Sequence, residues 1–166
     1  EAPTIPGVNA IVLSASDTPT ADVIALAATP SGDDILTADP SNAFSIATIN
    51  LGIGAQITIR PNTGTKQLPL QFGVCLTDAT GACDGAVAIG ALSTTIDANE
   101  TQTFAVFATS EGTIPLDPAN NRIFVPFLDE LGVVRGLTSV AVTSSVESPP
   151  QPVFPGAWRD VNDAET

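Results

Sequence analysis

Two cysteines, Cys75 and Cys83, and a scatter of carboxylates in turn-rich stretches are the residues whose types and spacing could do chemistry. The chain has no His and no Tyr, which removes the usual general base and another acid–base option, so Ser-His-Asp and Cys-His catalysis are excluded. A carboxylate pair of the glycosidase kind could be drawn from Asp33, Asp34, Asp39, Asp78, Asp84, Asp97, Asp117, Asp129 and Glu130. Most of these sit at turns, where Asp serves local backbone hydrogen bonding, and the sequence reads as noncatalytic. Calcium is the one cation whose hard oxygen ligands are grouped here: Asp33, Asp34 and Asp39; Asp78 and Asp84; Asp117, Asn120 and Asn121. None of these groups follows the EF-hand loop pattern, turn chemistry explains each of them, and no cofactor is expected. Zinc lacks the further Cys or His needed to complete four ligands. Cys75 and Cys83 instead flank LTDATGA, a spacing that suits a disulfide closing a hairpin loop in an exported chain, worth about 2–3 kcal/mol by loop entropy. Asn99-Glu100-Thr101 fits the N-x-T glycosylation pattern, a tripeptide also common by chance.

The elements that must position these residues come from one domain. A chain of 166 residues can bury one proper core, and two compact domains would each be marginal. Hydrophobic content of 43% excludes a disordered chain, and only 14% charged residues implies a surface of Thr, Ser, Asn and Ala, as in exported β proteins. Eighteen acidic against five basic residues give a net charge of −13, which repels phosphate backbones and anionic lipid. Nucleic acid is therefore excluded as a partner. Membrane insertion is excluded too, since no apolar run reaches spanning length. A start at Glu1-Ala2-Pro3 reads as a mature protein after signal-peptide removal, and trimming of an expressed chain would look the same.

The stretch from Asp117 to Val142 reads as a β-hairpin turning at 129–132. Ile123, Val125 and Phe127 point one way and Phe124 and Leu128 the other, so its first strand is placed centrally in a sheet. Earlier, ADVIALAAT at 21–29 reads as strand although its composition would suit a helix. SGDDILTADPSN at 31–42 reads as a polar loop, and NAFSIATINL (42–51) and AQITIR (55–60) read as a strand pair. LPLQFGVCL (68–76), ALSTTID (91–97) and TQTFAVFAT (101–109) supply further strands, with Phe104 and Val106 on one face of the last and Phe107 on the other. Turn signals roughly every 8 to 14 residues and about eight or nine strands predict an all-β, two-sheet sandwich, with a barrel as the lesser option.

The ends differ from the body. Residues 1–20 hold VNAIVLSA between turn formers, a candidate donor strand of about six residues. Residues 145–166 are Pro-rich, with Pro149, Pro150, Pro152 and Pro155 forcing an extended path and Val153, Phe154 and Trp158 as apolar anchors. The domain proper is read as 21–144.

ADVIALAATPSGDDI, FSIATINLG, CLTDATGAC, TQTFAVFAT and the hairpin sequence resemble a module of secreted and cell-surface proteins of Gram-negative bacteria, over about residues 21–143. The resemblance implies an immunoglobulin-like β-sandwich, export, and a noncatalytic structural or adhesive part, with no active-site residues to carry over. The two ends lie outside the module, and the loop at 36–42 is shorter than its usual form.

Two functions follow as expectations. One is a structural subunit of an extracellular, pilus-like filament or surface layer, a homopolymer in which Val8, Ala10, Ile11, Val12 and Leu13, or Val153, Phe154 and Trp158, engage a neighbouring copy. The other is a cell-surface adhesin or carbohydrate-binding module, with or without calcium. The shortage of aromatic residues weighs against a sugar site.

Overall fold

The structure, a computed structural model, describes Leu13 and residues 16–144. Val8, Ala10, Ile11, Val12, Val153, Phe154 and Trp158, with all but Leu13 of the strand expected over 8–15 and with the Pro-rich tail, lie outside the described residues.

Those described form ten strands and no helix: β1 (Val23–Ala28), β2 (Ile35–Thr37), β3 (Ser41–Asn50), β4 (Ala55–Ile59), β5 (Leu70–Leu76), β6 (Ala88–Ile89), β7 (Leu92–Ile96), β8 (Thr101–Ser110), β9 (Arg122–Leu128) and β10 (Val134–Thr143). They make two five-stranded sheets, ordered β1-β3-β8-β5-β6 and β2-β10-β9-β4-β7. Every pairing is antiparallel except that of β2 with β10, which is parallel. This is an immunoglobulin-like sandwich: β1, β3, β8 and β5 take the places of strands A, B, E and D, and β10, β9 and β4 those of G, F and C. β7 adds a strand beside β4.

The alternation that defines each strand also builds the core. In β3 and β8 the inward residues are Phe44, Ile46, Phe104, Val106 and Ala108, and in β9 they are Ile123, Val125 and Phe127, all buried. Phe104 and Phe127 bridge the two sheets edge to face, with ring centroids 5.9 Å apart. β9 is the middle strand of its sheet, as its two-faced apolar pattern predicts. The hairpin turns where expected, with Asp129 N donating to Val133 O at 3.0 Å and Gly132 N to Asp129 O at 2.9 Å.

Three expectations are corrected. The segment 31–42 is not only loop: Ile35–Thr37 runs parallel to Ala141–Thr143, because Leu36 has a core slot that buries it completely. β6 is a further short strand, which brings the total to ten. β3 and β4 do not pair with each other; β3 lies between β1 and β8, and β4 between β9 and β7. Gly52 and Gly54 therefore mark a crossover between sheets rather than a hairpin.

The crossover is held by Asn50, which is fully buried. Its Oδ1 accepts from the amides of Asp22 (3.0 Å) and Gly52 (3.0 Å), and its Nδ2 donates to Ile53 O (2.8 Å) and Ile96 O (3.0 Å). One amide thus satisfies four backbone groups at the start of β1, the β3–β4 crossover and the end of β7. A Cβ on Gly52 would stand 2.0 Å from Thr20 O, and one on Gly136 2.1 Å from Val23 O, so both glycines are needed where the entering chain passes against the body.

Asn50→Ala leaves buried backbone groups unpaired and is expected to cost about 3 kcal/mol, read as a lowered urea midpoint at constant m-value. Thr138 is fully buried and its hydroxyl has no partner among the described residues. Thr138→Val is expected to raise stability by about 1 kcal/mol in the same assay.

Candidate functional site

The carboxylates are positioned by turns, and the turns use them. Asp33 Oδ1 accepts from the Ser31 hydroxyl and, at 3.1 Å, from the Ile35 amide, and these bonds hold its carboxyl below the ordinary value. Asp78 Oδ1 accepts from the hydroxyl (2.7 Å) and amide (2.8 Å) of Thr80 and the amide of Ala82 (3.1 Å), with the same result. Glu100 accepts from the Asp97 amide at 2.6 Å and the Gln102 side chain at 3.0 Å and is likewise lowered. For Asp129, burial pushes the carboxyl up, but the amides of Val133 (2.8 Å) and Leu131 (2.9 Å) and the Arg135 guanidinium (2.7 Å) outweigh it and leave it lowered. All four favour the charged form, whereas a general acid must be pushed the other way.

Asp33, Asp34 and Asp39 are not brought into a metal cage. Among the described residues no three His, Cys, Asp or Glu side chains form a group that could hold an ion. Asp34 adopts a left-handed φ of 60°, gives its carbonyl to the Ala141 amide at 2.9 Å, and acts electrostatically on Arg122. Asp39 precedes Pro40 through a cis peptide bond. Asp117 accepts from the Asn120 side chain at 2.9 and 3.0 Å, and Asn121 is occupied with Pro115 O and Lys66. Cys75 and Cys83 form the expected disulfide, with Thr77 bridging Cys83 across the loop. Asn99 is exposed at the left-handed position of the β7–β8 turn, with φ 61°.

With chemistry confined to turns, the surfaces remain. At one pole Pro19, Thr20 and Ala21 line a pocket of about 220 Å³ with Ile53, Leu131 and Arg135. Leu131 is 86% exposed at the hairpin tip, and Leu51 and Ile53 are about half exposed nearby. On the outer face of the second sheet, Phe124, Pro126 and Leu137 form a groove of about 410 Å³ with Asn62, Gly64 and Thr65. At the Arg122 end of that face loops close over it: Arg122 is buried there, donating to Pro118 O (2.8 Å) and to Ser139 (3.2 Å), while Lys66 reaches Asn121 at 2.9 Å. The outer face of the first sheet is covered at β5, where the disulfide loop buries Cys75 and Val87 packs against Gly73.

Leu13 is 67% exposed. Asn50, Arg122 and the Phe124–Pro126–Leu137 groove did not emerge from the sequence reading. Asn50 had a signal, a polar residue at an inward-facing position of an otherwise alternating strand. The groove had none, because it depends on a loop folding over β9.

No family model matches this chain and no curated protein matches it in sequence, so the expected Gram-negative module finds no support beyond the β-sandwich itself. Among solved structures the chain is similar to the N-terminal domain of PorA, at 8% identity and TM-score 0.39 over 72% of this chain and 96% of that one. It is also similar to AvmM, described as catalysing macrocyclization in alchivemycin A biosynthesis, at 12% identity and TM-score 0.40 over 84% and 94% of the two chains. A third is Spo0M, a sporulation control protein from Bacillus subtilis, at 14% identity and TM-score 0.36 over 75% and 50%.

Each lowered carboxyl binds fewer protons in the folded than in the unfolded chain at acid pH. Its stabilisation is thus complete above an unfolded pKa of about 4 and is lost as pH falls through the folded value. The urea midpoint is expected to stay flat from pH 8 to 5 and to fall below about pH 4, with a shallower fall in Asp129→Asn.

Proposed function

We propose that this chain is a structural subunit of an extracellular bacterial filament or surface assembly, a noncatalytic homopolymer. The observation that carries the reading is the direction of the two ends. Residues 19–21 sit beside Leu131 at the hairpin pole. β10 starts next to that hairpin and runs ten residues away from it, about 30 Å along the body, before the chain leaves at Ser144. Residues 19–21 and Ser144 therefore stand at opposite poles of the body, the arrangement that head-to-tail contact requires. Such contacts propagate wherever their rotation does not close a ring.

A second observation supports strand addition as the joint. Two of the four edge strands, β2 and β6, are blunted to three and two residues. β1 is an edge of sequence VIALAA, closed against Gly136 of β10 at Val23, with none of the Lys or Pro residues that protect edges, and Leu26 on it is 66% exposed. Val8–Leu13 is about the same length and has apolar residues at alternate positions to fill pockets beside main-chain hydrogen bonds. Thirteen extended residues reach at most about 45 Å, enough to cross a junction and lie along such an edge. Because the sandwich already has its A to G strands, the donor would add to an edge rather than repair a gap. The disulfide is compatible with an oxidising, extracellular setting.

The Phe124–Pro126–Leu137 groove favours a second reading, a carbohydrate-binding or adhesive surface module, because it is an apolar concavity with an amide at its rim. A glycan screen of the purified chain with and without chelator separates the two readings.

Deleting residues 1–13 is expected to leave a monomer with an unchanged melting temperature that forms no filaments in electron micrographs. Filaments assembled normally by that deletion would refute donor-strand joining.

A further inference from the structure

The β7–β8 turn carries a set of side chains that the fold leaves unused. Asp97, Ala98, Asn99, Glu100 and Thr101 read Asp-x-Asn-x-Thr, and of the eight asparagines in the chain only Asn99 has a hydroxyl residue two positions on. The backbone of the turn is tied down: Glu100 N donates to Asp97 O at 3.1 Å, Asn99 N to Asn50 O at 2.7 Å, and Asp97 N to the Glu100 carboxylate at 2.6 Å. The side chains divide into two groups. Glu100 is turned back onto Asp97 and Gln102, whereas Asp97, Asn99 and Thr101 are exposed and their side chains hydrogen-bond to nothing among the described residues. Elsewhere Asp33, Asp78 and Asp129 are taken up by their own turns. The left-handed φ of Asn99 accounts for Asn or Gly at that position, but it gives the outward amide no work.

We propose that Asn99 is an N-glycosylation site, the acceptor of an oligosaccharide carried on a lipid diphosphate. The inference goes beyond the assembly reading and rests only on its extracellular setting. In the transfer, Nδ2 of Asn99 bonds to the anomeric carbon of the first sugar and gives up one proton to a base of the membrane transferase. The bond from that carbon to the lipid diphosphate breaks, and the diphosphate leaves with the electron pair. An amide nitrogen is a poor nucleophile, so the transferase must hold it closely in place. The Thr101 hydroxyl is the handle for that grip, and Glu100 between them is allowed because it is not Pro. The Asp97 carboxylate, two residues before the acceptor, offers a cationic side chain of the transferase a charge-assisted pair. That carboxylate marks an acceptor of the bacterial class rather than the plain tripeptide.

The fold accepts the product. Asn50 and Asn121 are buried and their amides are spent on backbone groups, while Asn99 faces solvent at the tip of its turn, where a bulky polar group displaces nothing. Because the folded turn is tied to Asn50, the chain takes the sugar as it emerges from export, before the sandwich closes, and then carries it outward.

The test is to express the full chain behind a cleavable export leader in a bacterial host supplied with a lipid-linked oligosaccharide and a transferase of the bacterial class. Intact mass and peptide mapping give the readout. One glycan at Asn99 is expected on chains whose Cys75–Cys83 disulfide has formed. It should be lost in Asn99→Gly, which suits the left-handed φ and keeps the melting temperature, and lost in Asp97→Asn and Thr101→Val. Asp97→Glu and Thr101→Ser should keep it, which separates recognition of the acceptor from any structural role of the turn. An exported, disulfide-bonded chain without sugar overturns the proposal. So does a glycan that survives Asp97→Asn or Thr101→Val, or one that sits on another residue. The chain lacking residues 1–13 should be glycosylated as fully as the full chain, so the loss or survival of its filaments judges the assembly reading alone.

Discussion

The amide of Asn50 is the constraint on which the rest of this sandwich depends. At one pole the chain enters at residues 19–22, crosses between the sheets at 50–54, and leaves β7 at Ile96, so several backbone groups converge away from regular ladders. A hydrophobic residue there would leave them unpaired, and a charged one would bury its charge. Asn supplies two donors and two acceptors from one planar group and uses all four. It thereby fixes where β1 begins and how residues 20–22 pass against the body.

Charge is the second organising constraint. Apart from Arg122 and Arg135, every strand is uncharged, and the carboxylates are gathered into turns and ends. There Asp33, Asp78, Glu100 and Asp129 accept hydrogen bonds that favour their ionised form, so each of these four shapes its turn as a charged group.

Much of the architecture was legible because strand periodicity is local. The β9–β10 hairpin, the inward set Ile123, Val125 and Phe127, the split of Phe104 and Val106 from Phe107, and the cysteine loop follow from alternation and turn residues. The pairing of β3 with β4 was misread because adjacency in sequence is the usual guide to adjacency in a sheet, and here Gly52 and Gly54 serve a crossover. β2 was hidden because three residues among aspartates carry no period, and Leu36 is strand only by virtue of the β10 edge and the core slot beneath it. Likewise the turn carboxylates looked like ligand groups in sequence, whereas their actual partners are amides and hydroxyls within their own turns.

The central claim is that backbone from the N-terminal segment of one copy lies along a sheet edge of another. Solid-state NMR on material assembled from an equal mixture of ¹⁵N-labelled and ¹³C-labelled copies tests it directly. Magnetisation transfer between Val8–Leu13 of one copy and Val23–Ala28 of another is the predicted result. Transfer confined to neighbours within the same chain, in material uniformly labelled with both isotopes and absent from the mixture, would contradict it.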